Sequence, residues 1–236
     1  MKQYGFVGKG TGKLGSAVFA ISGGEQIVRQ YNPVVSNPKT EKQIAQRSKF
    51  KLLSLIAAAL APAIAIKKNG LVSARNQFVS KNMPLTEWNV DTASVALPSL
   101  QLTVGNSACP IPTISAVGGN RIKVEYPNGF SEQFAKVIAV CAKVEENGGV
   151  SFVEAASIDY SETALGMEAE FATGTGSFVV YVYGIKANEG NTDDVFENAT
   201  GDTTSFIASL VAGFGNSMLA SRTTKTLGQS VTVTAG

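Results

Sequence analysis

The sequence predicts an α+β protein, mainly β. An N-terminal β-hairpin and helices would pack with an antiparallel sandwich of immunoglobulin or fibronectin type. Three observations carry this. Helical periodicity with a start signal follows Thr40. Past Met83, the prolines Pro84, Pro98, Pro110, Pro112 and Pro127 punctuate strand-like runs, about six or seven of them at regular spacing. The 236 residues are 44% hydrophobic, enough to bury a core. With no Cys…Trp…Cys pattern, the sandwich is not of antibody type. The same punctuation divides the chain into 1–82 (basic arm, hairpin and helices), 83–202 (sandwich) and 203–236 (apolar segment and edge strand).

The elements follow in order. Residues 5–15 carry too many glycines for a regular element and read as a loop or arm. Ser16–Ile21 and Gln26–Tyr31 flank Ser22-Gly-Gly-Glu25, a hairpin turn. Asn32 to Lys39 is extended, since each residue before proline leaves the helical region. Thr40-Glu-Lys-Gln43 fits a capping box, in which the Thr40 hydroxyl accepts from the Gln43 amide and Gln43 reaches back. The helix beyond it would carry Ile44, Leu52, Leu55, Ile56, Ala59 and Leu60 on one side and basic residues outside. Pro62 should end or kink it, and a short helix over Ser73–Lys81 would bury Phe78 and Val79.

Strand candidates are Ala93–Leu97, Leu100–Val104, Arg121–Tyr126, Phe134–Val144, Val150–Ile158, Glu168–Ala172 and Ser177–Tyr183. Ile122, Val124 and Tyr126 would share a face, and Glu146-Asn-Gly-Gly149 is a hairpin turn. Asn188–Asp202 reads as an acidic solvated loop. Ser205–Ala220 is apolar with glycines inside it and fits helix or strands equally. Ser230–Thr234 alternates like an edge strand.

The net charge of +2 averages two unlike parts. Residues 1–81 carry 13 basic and two acidic side chains; the remainder carries seven basic and 16 acidic. Such a split points to nucleic acid, a membrane surface or an oppositely charged partner, and equally to the basic part docking on an acidic part of its own or a neighbouring subunit. The candidate contact residues for nucleic acid or a partner are Lys9, Lys13, Arg29, Lys42, Arg47, Lys49 and Lys51. Tyr4, Phe6 and Tyr31 are candidates to stack on unpaired bases. With no base-reading motif, contact would be to the backbone and salt-dependent.

The sequence holds no histidine, which removes the commonest general base and zinc ligand, and two cysteines leave no thiol-rich metal site. Gly10-Thr-Gly-Lys-Leu-Gly15 matches a dinucleotide fingerprint, but a strand-like run follows it where a helix is needed. It is no P-loop either, since Leu14 stands at the magnesium-binding position. Asp193, Asp194, Glu197 and Asp202 lack the alternating spacing of a calcium loop. No cofactor, no metal and no enzymatic activity are expected. Leu52–Ile66 is short for a membrane span and broken by Pro62, so it reads as a buried helix. No secretory leader is read at the N-terminus. Asn198-Ala-Thr200 fits a glycosylation acceptor, which carries no weight without such a leader.

The strings Gly15-Ser-Ala-Val-Phe19, Gly24–Arg29, Ser36–Gln43 and Gln46–Phe50 resemble an uncharacterised family of gut bacteria and their phages, including microvirus-type single-stranded-DNA phages. The resemblance covers residues 5–80 well and the sandwich loosely. It implies a glycine-rich hairpin, an Asn-Pro-x-Thr helix start, an immunoglobulin-like C-terminal part and a virion or structural role. It transfers no catalytic residue. The expectation is a non-enzymatic virion component, in the particle or the host cytoplasm. Its basic part would contact packaged nucleic acid or an acidic subunit, in a homo-oligomer or beside other virion subunits. The alternative is a decoration, spike or tail-associated protein without nucleic-acid contact.

Overall fold

Apolar spacing changes along the chain, and the elements change with it. The computed structural model describes residues 11–22, 24–34, 39–70, 72–89, 91–160, 167–186 and 202–234. It divides into two compact units, Met1–Gln43 and Ile44–Gly236.

In the first unit, strands β1 (Gly12–Leu14), β2 (Ala17–Ser22) and β3 (Glu25–Gln30) form one antiparallel sheet in that order. The expected turn joins β2 to β3: Ser22 pairs with Glu25, and Gly24 takes a φ of 87°, which glycine reaches without steric cost. The glycine-rich stretch before it is not all loop, because residues 12–14 add a third strand through a turn at Gly15 with φ 58°. The rest of that arm, through Gly10, lies outside the described residues.

In the second unit, helix α1 (Glu41–Ala59) begins just before the boundary and ends ahead of a 3-10 turn, Ala61–Ala63, that contains Pro62. The missing proline N–H and its ring stop the α-helical ladder there. Helix α2 (Ala74–Asn82) is capped by Ser73, whose hydroxyl accepts from the Asn76 amide at 3.2 Å. It buries Phe78 and Val79 as expected. The capping box of α1 is not formed as expected: the Gln43 amide donates to the Thr40 carbonyl at 3.0 Å, and Gln43 Oε1 is buried without a partner. The small hairpin β4 (Thr86–Asn89) and β5 (Thr92–Val95) follows.

The remaining strands are β6 (Thr113–Val117), β7 (Arg121–Tyr126), β8 (Phe134–Val144), β9 (Val150–Asp159), β10 (Met167–Ala172), β11 (Gly176–Lys186) and β12 (Leu227–Val233). They make two antiparallel sheets, ordered β6-β7-β10 and β9-β8-β11-β12. Three strands against four, with hairpins β6–β7 and β8–β9 and crossings between sheets, is a fibronectin-like arrangement. The chain is α+β and mainly β.

The continuous apolar runs of β8 and β11 have a physical reason. Val137, Ala139, Cys141, Phe178, Val180 and Val182 join a core with Ile122, Val124 and Phe171 of the three-stranded sheet. The alternate residues, Ile138, Val140, Val179, Tyr181, Tyr183 and Ile185, join a second core with Leu53, Ile56, Leu60 and Phe78 of the helices. A strand covered on both faces needs no polar alternation. Helices α3 (Thr203–Gly213) and α4 (Asn216–Arg222) lie between β11 and β12 in sequence and complete the helical cover with Phe206, Ile207, Leu210 and Leu219. The helical core thus draws on all three segments that the sequence sets apart. Two tyrosine hydroxyls fasten cover to sheet: Tyr181 donates to the Leu97 carbonyl at 3.0 Å and Tyr183 to that of Ala63 at 3.1 Å.

Several expectations are corrected. Ile44 and Leu55 are exposed, and the buried apolar stripe of α1 is Leu53, Ile56 and Ala57, continued by Leu60 just past its end. The second half of α1 is apolar on every side, so periodicity does not choose its face; tertiary packing does. Leu100–Val104 is not a strand but an extended strap held by side chains. The Gln101 amide donates to Asn82 Oδ1 at 2.7 Å and the Leu102 amide to Thr226 Oγ1 at 2.8 Å. Strand β6 lies past Pro112, where the sequence reading placed none. Ser205–Ala220 resolves as helix.

Candidate functional site

Residues directly opposite in a sheet share a face. In the first unit Lys13 pairs with Val18, and Val18 with Arg29, so Lys13 and Arg29 stand on one face, two strand spacings or about 10 Å apart. Tyr31 follows on the same side: the Lys13 ammonium lies 3.5 Å from its ring centroid, a cation–π contact. The face also carries Ile27 and one carboxylate, Glu25. Lys13 and Arg29 are both exposed. This face brings together two of the seven predicted contact residues. Lys9 lies outside the described residues, as do Tyr4 and Phe6.

The four predicted residues on α1 do not form one basic face. At about 100° per residue, Lys42 and Lys49 fall on the side that becomes the buried stripe, and Arg47 and Lys51 on the opposite side. Lys49 is half-buried, and its ammonium donates to the Thr86 carbonyl at 2.8 Å, tying α1 to β4. Lys42, Arg47 and Lys51 are exposed.

Other early cations hold the fold in the same way. Lys67 Nζ donates to the Ala212 carbonyl at 2.7 Å, Arg75 to that of Ser54 at 2.7 Å, and Lys81 to that of Thr103 at 2.7 Å. Burial lowers the pKa of Lys81, and the charge of Lys225 adds to the effect. Cations of the sandwich instead meet carboxylates: Lys123 with Glu168 at 2.6 Å, Lys136 with Asp159 at 2.6 Å, and Arg121 with Glu170 at 3.1 Å. Carbonyl bonding fixes a cation without neutralising it, so the early positive surplus persists.

Sequence reasoning missed a groove of about 720 Å³ between the end of α1, the start of α2 and one face of α3. Ala57, Ile207 and Val211 line it beside Lys67, Lys68 and Arg75. The signal was present as the cations just after Pro62, but only packing against α3 makes them a rim.

Among the described residues no group of three or more His, Cys, Asp or Glu side chains is placed to hold a metal. Asp202 is the N-cap of α3: its carboxylate accepts from the Ser205 amide at 2.8 Å, and the bonds from Ser205 hold its pKa below the usual value. Asp193, Asp194 and Glu197 lie outside the described residues, as does most of the expected acidic loop. Both thiols are buried and free, and burial raises Cys109 to about 11 and Cys141 to about 12, which makes them poor nucleophiles. No described helix is long and apolar enough to cross a membrane. No protein-family model matches the sequence, and no curated protein matches it.

Proposed function

We propose that this chain is a non-enzymatic structural protein of phage particles that uses its N-terminal sheet to contact packaged nucleic acid or an acidic partner subunit. The observation that carries the reading is the Lys13–Arg29 face, with Tyr31 beside it. Exposed cations on one face of a sheet meet phosphates without reading bases, and an adjacent aromatic ring suits unpaired strands. The resemblance of residues 5–80 to phage-associated proteins supports the particle context.

The test is binding of labelled single- and double-stranded DNA, followed by anisotropy across salt. Affinity should fall steeply between about 50 and 200 mM salt. The double variant Lys13→Glu/Arg29→Glu should weaken binding and lower the log–log salt slope by about two. Lys49→Glu should instead lower the unfolding midpoint, because its partner is a carbonyl of β4. Salt-independent or absent binding overturns nucleic-acid contact.

A second reading has its own support. Lys49, Lys67, Arg75 and Lys81 are engaged by their own chain. Part of the positive surplus is therefore structural, as a decoration, spike or tail-associated protein without nucleic acid would have it. Unchanged anisotropy together with the protein's presence in purified virions by mass spectrometry selects that alternative.

A further inference from the structure

The two faces of the N-terminal sheet differ in charge. Lys13, Glu25 and Arg29 all fall on the face described above. The opposite face presents Leu14, Ala17, Phe19, Ile21 and Val28, with Gln26 and Gln30 at its margin, and no charged residue among those described. Three of its apolar side chains are in solvent, Leu14 66% exposed, Val28 57% and Ile21 44%, and Ala17 and Phe19 are part-buried. A three-stranded sheet with so much open apolar surface needs a cover.

We propose that the cover is the same face of a second copy of this chain. An uncharged face is complementary to itself, since a twofold pair brings no like charges together. Nucleic acid or an acidic subunit would gain nothing from a surface with no cation. Size sets the strength. Two strands of six residues and one of three, about 4.8 Å apart and rising about 3.4 Å per residue, present about 250 Å² per copy, or about 500 Å² per pair. Stable complexes bury about 1,200–2,000 Å². The pair is therefore weak and reversible in solution, and gains strength only where many copies are held side by side. It uses the face opposite to the one proposed to meet nucleic acid and does not rest on that reading.

Sedimentation velocity of the full chain without nucleic acid, from about 1 to 300 µM, tests this. The wild type should shift from monomer to dimer across that range. Leu14→Glu and Val28→Glu each place a carboxylate on the face in both copies and should abolish the dimer. Ile27→Glu, on the other face, should leave it intact. Mixing Leu14→Glu with Leu14→Lys copies should restore pairing, which a merely misfolded variant would not do. A wild type that stays monomeric throughout overturns the proposal. So does a Leu14→Glu chain that pairs as the wild type does, or an Ile27→Glu chain that does not pair. DNA binding is measured separately on the Lys13→Glu/Arg29→Glu chain, so either proposal can fail without the other.

Discussion

Strand β11 lies between two layers, whereas β3 has solvent on both faces. Both contain consecutive apolar residues, Val179-Val180 in one and Ile27-Val28 in the other. Val179 and Val180 are wholly buried; Ile27 and Val28 are about half exposed. Burial is therefore a property of the layers around a strand and not of its composition. Within the larger unit the helices and the three-stranded sheet supply those layers. Among the described residues the N-terminal sheet has no such layer of its own, and its strands β1 and β3 stay exposed.

The sharpest way to break this contrast is to truncate one ring in the sandwich. Phe178→Ala should cost about 3–5 kcal/mol in chemical denaturation, since the ring is buried in a close-packed core. Ile27→Ala in the N-terminal sheet should change the same midpoint by less than about 0.5 kcal/mol. Equal effects would mean that the two regions are not energetically distinct. Next in size is Gly228→Ala on β12. A Cβ there would overlap the Pro98 carbonyl, so backbone must move, at about 1–3 kcal/mol. Thermal unfolding with retained β-sheet circular dichroism would show it.

A further effect is alkaline. An unfolded thiol ionises near 9, whereas burial holds Cys109 at about 11 and Cys141 at about 12 in the folded chain. The unfolded state thus loses its protons first. Stability should fall as pH rises through 9 toward 11 and 12, by about 1 kcal/mol per thiol at pH 10, with no change near neutrality. Burial also raises the pKa of Tyr126, Tyr181 and Tyr183, which adds to the fall in the same direction. Unfolding free energies at pH 8 and 10 give the total, and Cys141→Ala removes that thiol's share of the slope.

Much of the fold was legible. Glu146-Asn-Gly-Gly149 marks its hairpin because Gly148 must take a φ of 76°, and Ser73 marks a helix start because its hydroxyl serves an orphan amide. These signals are local. Leu100–Val104 was not legible, because its backbone bonds go to Asn82 and Thr226, distant in sequence. The candidate site divides the same way. The hairpin turn fixes the register that sets Val18 opposite Arg29, but Lys13 joins that face only because residues 12–14 pair as a third strand where the sequence reads as a loop or arm. Lys49 looked like its neighbours, and only the arrival of β4 beside α1 makes it a structural tether.

Strand β12 pairs with β11 from Gly176↔Val233 to Val182↔Leu227, yet the intervening chain contains two helices. During synthesis β11 leaves the ribosome with one edge unsatisfied. It must wait roughly 2–8 s, at ordinary elongation rates, for the residues that will close it. Throughout that interval the nascent chain displays an apolar strand edge of the kind chaperones hold.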